Sequence, residues 1–119
     1  MEFHPEKCQV LSVTRNRNPI RHDYKLKGEV LKHVDPAKYL GVEISSDMKW
    51  DAHVNNIVNK GNRSLGFLKR NIRIKSQDLR SKAYKAIVRP TLEYATSIWD
   101  PYTKKNINAI KVIQCRAAR

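Results

Sequence analysis

From position 50 to 72, Trp50, Val54, Ile57, Val58, Gly61, Leu65, Leu68 and Ile72 follow one another at steps of four, three, one, three, four, three and four. That spacing predicts one face of a long α-helix, and it commits this part of the chain to burying the face against other elements. The opposite face carries Asn56, Asn59, Lys60, Arg63 and Arg70, with Phe67 among them. Two readings fit Phe67, stacking on a base and packing on a neighbouring helix, and the second, the more common fate of an aromatic at that spacing, is expected. Ser45, Ser46 and Asp47 precede the pattern, and their short polar side chains are expected to cap its first turn. Ser76 is placed to cap a second helix with Leu79, Ala83, Ala86 and Ile87 on its apolar side and Lys82, Lys85 and Arg89 on its basic side. Pro90 ends or kinks it. Thr103 is placed to cap a last helix that turns Ile107, Ile110 and Ile113 inward.

The first 45 residues favour strands instead. Positions 9–14 alternate around Val10 and Val13, and a polar, proline-bearing stretch follows at 15–21. Positions 24–26 and 29–34 flank Lys27 and Gly28, where glycine supplies the positive φ of a tight hairpin turn. Positions 38–45, KYLGVEIS, read as one further strand entered after Pro36. Strands first and helices second predict an α+β fold rather than alternating βα units, with short antiparallel strands and a hairpin ahead of a helical bundle. The boundary falls between 1–46 and 47–119.

With 24 Lys and Arg against 11 Asp and Glu, the 119 residues carry +13, so a polyanion is the first partner to consider. Nucleic acid is the first choice and an acidic membrane surface the rival, weakened because the faces opposite the basic ones are needed for a core. The charged start MEFHPEKC is unlike a signal peptide, and no apolar run approaches the ~20 residues of a membrane helix. Cys8 and Cys115 lack a repeated spacing and do not suggest a disulfide scaffold. His4 and Cys8 make at most half a metal site, and the six aspartates form no adjacent pair of the kind that holds two magnesium ions. With neither a nucleophile elbow nor a glycine-rich phosphate loop, the residues read as a basic α+β binding module.

Four strings cover nearly the whole chain in a fixed order: FHPEKCQVL, KYLGVEIS, DMKWDAHVNNIVNKGNRSLGFLKRNI, and LRSKAYKAIVRPTLEYATSIWDPYTKKNINAIKVIQCRAAR. In that order they resemble reverse transcriptases of non-LTR retrotransposons, the LINE-type elements of the jockey kind. The most specific pieces are AYKAIVRPTLEYATSIWDP and the terminal VIQCRAAR. Lys111 and Cys115 depart from the family's pattern. The resemblance implies a C-terminal fragment of an RNA-directed DNA polymerase, with the end of the palm and a primer-grip hairpin over 1–46 and a thumb-like helical segment, truncated, over 47–119.

The resemblance also implies roles. Lys7 matches a lysine thought to sit near the incoming nucleotide and protonate the departing pyrophosphate. Lys38, Tyr39, Leu40 and Gly41 match the primer-grip turn, and Lys60, Arg63 and Arg70 lie on the first thumb helix that tracks the template and primer backbone. Lys82, Lys85 and Arg89 extend the basic surface on the next helix. Magnesium is implied for the parent polymerase and no cofactor for this fragment, which lacks the catalytic aspartates and is expected to be inactive alone. Expected partners are the template-primer backbone of RNA or DNA and the rest of the parent palm and thumb, with no membrane, in an intracellular, nuclear or cytoplasmic ribonucleoprotein. Because the family continues its thumb beyond this point, the last helix is expected to expose Ile107, Ile110 and Ile113. The alternative is a stand-alone basic nucleic-acid-binding module derived from such an element.

Overall fold

The computed structural model describes residues 1–73 and 75–119 and has an α+β fold divided into two compact units, Met1–Lys49 and Trp50–Arg119. In the first unit the strands pair in twos. β1 (Gln9–Val10) runs parallel to β4 (Lys32–His33), with Val10 opposite His33. The chain leaves that ladder after Val10, so the strand expected over 9–14 is only two residues long. β2 (Lys25–Leu26) and β3 (Glu29–Val30) form a hairpin whose turn holds Lys27 at φ 52° and Gly28 at φ 85°. Two successive positive φ angles belong to the turn whose twist matches that of paired strands.

β5 (Pro36–Tyr39) and β6 (Val42–Ser45) form a second hairpin, with Tyr39 opposite Val42 and Pro36 opposite Ser45. Positions 38–45 are therefore two strand ends rather than one strand. The reversal comes at Leu40 and Gly41, with φ 48° and 84°. β-favouring residues stand on both sides of the turn, and leucine carries no turn signal. The polar run expected to cap a helix closes another turn instead. Asp47 accepts hydrogen bonds from the Ser45 hydroxyl at 2.6 Å and the Lys49 amide at 3.0 Å, which hold its carboxyl below the usual carboxylate range. Ser46 is engaged elsewhere, donating its hydroxyl to the Asp35 carboxylate.

The second unit is helical. α1 (Asp51–Asn71) starts after Trp50, which supplies no side-chain cap. α2 (Gln77–Ala83) and α3 (Arg89–Glu93) are joined by a π turn over Tyr84–Val88, and α4 (Lys104–Ala118) packs along α1. Leu65, Leu68, Val88, Leu92 and Ile113 make the core, each worth roughly 1.5–3 kcal/mol when fully buried. Gly61 on α1 lies against Leu92 of α3 and Ile113 of α4. A Cβ there would stand 3.0 Å from Leu92 Cδ2 and 3.2 Å from Ile113 Cδ1.

The π turn accounts for a shift in which residues face inward. Pro90 lacks an N–H, and in a regular helix its ring collides with the carbonyl four residues back, a conflict that a wider turn just ahead of it relieves. The extra residue brings Val88 and Leu92 to the core, whereas the period counted from Leu79 puts Ala86 and Ile87 there; both are exposed. α4 also differs from expectation. Ile113 is fully buried and Ile110 packs on the core, because the helix has α1 as its partner.

At the other end of the unit, Thr103 caps α4 by accepting from the Asn106 amide at 3.4 Å. Asn106 is buried and donates its side-chain amide to Asp51 at 2.9 Å, tying the start of α4 to the start of α1. Trp99 is 1% exposed, donates its indole N–H to the Tyr94 carbonyl at 2.7 Å, and meets the buried His53 ring edge-on at 4.7 Å. Trp50 also meets the His53 ring edge-on, at 6.4 Å. Tyr94, the residue that ends α3, is exposed. Among the described residues no helix is long and apolar enough to cross a membrane.

Candidate nucleic-acid interface

A helix that commits one face to a core leaves the opposite face to solvent, and on α1 that face is basic. Lys60, Arg63, Phe67 and Arg70 follow at steps of three, four and three, so they form a single exposed stripe. Phe67 is 54% exposed and lies between Arg63 and Arg70 instead of packing on another helix. Its half-turn offset from the buried stripe was the signal for this placement. The Arg70 guanidinium lies back over Gly66, 3.5 Å from where a Cβ would stand. Asp51, in the first turn, is the one carboxylate of α1. Among the described residues no ion pair reaches Lys60, Arg63 or Arg70.

The basic set on the following helices is different. Lys82 is 2.7 Å from Asp78 and Arg89 is 2.7 Å from Glu93, each one turn away. The Glu93 hydrogen bond holds the Arg89 guanidinium more firmly protonated than usual. Lys85 has no such partner among the described residues. Fifteen of the 24 Lys and Arg lie in Trp50–Arg119 against four of the 11 carboxylates, so the helical unit holds most of the +13.

The remaining candidates lie in the first unit. Lys38, Tyr39, Leu40 and Gly41 form the exposed tip of the β5–β6 hairpin. Leu40 is 74% exposed with its backbone in the left-handed region, which costs a residue with a Cβ roughly 1–2 kcal/mol. The tip thus presents two apolar side chains beside Lys38, in a turn that local preference would fill with Asn, Asp or Gly. Lys7 ends a short 3₁₀ turn, Pro5–Lys7, and is exposed. Among the described residues no three His, Cys, Asp or Glu side chains converge.

No protein-family model matches the chain, and no curated protein or solved structure matches it.

Proposed function

We propose that this chain binds the sugar-phosphate backbone of a template-primer duplex as the late palm, primer-grip and early thumb part of a non-LTR retrotransposon RNA-directed DNA polymerase. The observation that carries the reading is the stripe Lys60, Arg63, Phe67 and Arg70, an unneutralised cationic row on a helix held rigid by its buried face. From Lys60 to Arg70 the helix rises about 15 Å, the span of roughly four phosphates along one strand of a B-form duplex. Lysine and arginine heads on such a row meet phosphates without reading bases, so the binding is indifferent to sequence. The alternative of a stand-alone module derived from the same kind of element uses the same stripe. The hairpin tip supports the first reading, because Tyr39 and Leu40 are set out in solvent where a primer strand would lie against them.

Replacing Lys60, Arg63 and Arg70 together by glutamine is the test. Removing one cation from a phosphate lowers the salt slope by about 0.9 on a B-form duplex, so the slope of the triple variant is expected to fall by roughly two to three units whatever the sequence. The Lys82, Lys85 and Arg89 triple variant is the control. Two of its cations already face carboxylates, so a fall of about one unit is expected. Equal falls would indicate a diffuse polycation, and no change from either set would remove nucleic-acid binding as the function.

A further inference from the structure

Where the C-terminal ends of α1 and α4 meet α2, the helical unit encloses a cup of about 480 Å³. Its floor is apolar. Leu65 and Leu68 come from the core, and Ala83 and the Tyr84 ring from the packing around it. Its rim is cationic, formed by Lys69, Arg73, Lys75, Arg80 and Arg119, and among the described residues no acidic side chain lines it. Lys69 is fixed there by donating to the Arg116 carbonyl at 2.8 Å, while Arg116 reaches back to Asn62 at 3.2 Å. The cup therefore stands on two helices clamped to each other.

An apolar floor within a ring of cations suits a ligand that is flat and apolar at its centre and anionic around its edge. We infer that the cup receives one unpaired base of a nucleic-acid strand, with the base against Leu65, Leu68 and Tyr84 and the flanking phosphates on the rim. The inference rests on the backbone-binding reading, and Arg73 of the rim follows Arg70 of the stripe by three residues, just past the end of α1. Volume fits the range of small-molecule pockets. An unpaired base enters at least cost because it needs no extrusion from a duplex, and it gains by contact with an aromatic wall and arginine.

The experiment compares three labelled ligands on the full chain by fluorescence anisotropy: a blunt duplex, the same duplex with a three-nucleotide overhang, and that duplex with the overhang made abasic. The two overhang ligands carry equal charge, so their difference isolates the bases. Binding of the base-bearing overhang is expected to be on the order of tenfold tighter than that of the abasic one. Ala83→Phe, which fills the cup, is expected to erase that difference and leave blunt-duplex binding unchanged. Equal affinity for both overhangs, with blunt-duplex binding intact, would overturn the cup and leave the stripe standing. No binding to any of the three would overturn both. Tighter capture of an Asp- and Glu-rich, leucine-bearing peptide than of the base-bearing overhang would reassign the cup to a protein partner.

Discussion

Leu40, 74% exposed, is held in a backbone region that favours glycine or asparagine. Leu40→Asn is therefore expected to raise stability by about 1 kcal/mol in urea unfolding. If the tip grips a primer, the same change weakens duplex binding, so stability and affinity move in opposite directions. A decrease in stability would show that Leu40 is packed rather than presented. Gly61 and Gly66 make a matched pair on α1. Alanine gains about 1 kcal/mol over glycine in a helix interior. At Gly66 the added methyl meets the flexible end of Arg70 at ordinary contact distance, so Gly66→Ala is expected to stabilise by roughly that amount. At Gly61 it is driven against the buried Leu92 and Ile113, where overpacking costs ~1–3 kcal/mol, and Gly61→Ala is expected to destabilise. Thermal melts of the two variants check the sign. Sequence alone placed both glycines on the helix, and Gly61 within the apolar stripe. It could not show how near the neighbouring helices come, which is set by partners far along the chain.

Elements were legible where a single period governs them. The α1 stripe is readable because its buried positions recur without interruption, and Thr103 marks the start of α4, where its side chain accepts from the Asn106 amide. The π turn was hidden. Pro90 announces a disturbance but not whether the helix breaks, bends or widens, and each alternative brings different residues inward. Its consequence can be measured. Leu92, 2% exposed, is expected to cost about 2–5 kcal/mol when cut to alanine, while Ile87→Ala, at a position 43% exposed, costs well under half as much. The opposite order would restore an unbroken α register. In α4, the ties from Asn106 to Asp51 and from Lys69 to Arg116 predict slow hydrogen exchange for the amides around Ile110 and Ile113, comparable with mid-α1. The hairpin tip eluded periodicity for a different reason, since its turn residues do not look like turn residues.

At the scale of the whole chain, the α+β division could be read because strand-favouring and helix-favouring residues are segregated, and the charge because it is a sum. Which cations stay unneutralised follows from whether a carboxylate falls one turn away, a spacing present in the sequence: Asp78 for Lys82 and Glu93 for Arg89, and none for Lys60, Arg63 or Arg70. One pH effect follows from burial. Desolvation pushes the Tyr84 phenol above its ordinary 10.0, so the neutral form is favoured in the folded state. That stabilisation is complete below pH 10.0 and is lost as pH rises through the higher folded-state value. Urea midpoints at about pH 9 and about pH 11 are expected to fall further for the native chain than for Tyr84→Phe. An equal fall would show that Tyr84 is not the group involved.

Both tryptophans, Trp50 and Trp99, lie beside His53 in the helical unit, and Met1–Lys49 contains none. Excited at wavelengths that tyrosine does not absorb, the chain therefore emits only from residues 50–119. An unfolding curve followed by that light ignores the hairpins. Amide signals from β2, β3, β5 and β6 supply the other half, so an unmodified chain already carries separate optical and magnetic reporters for its two parts.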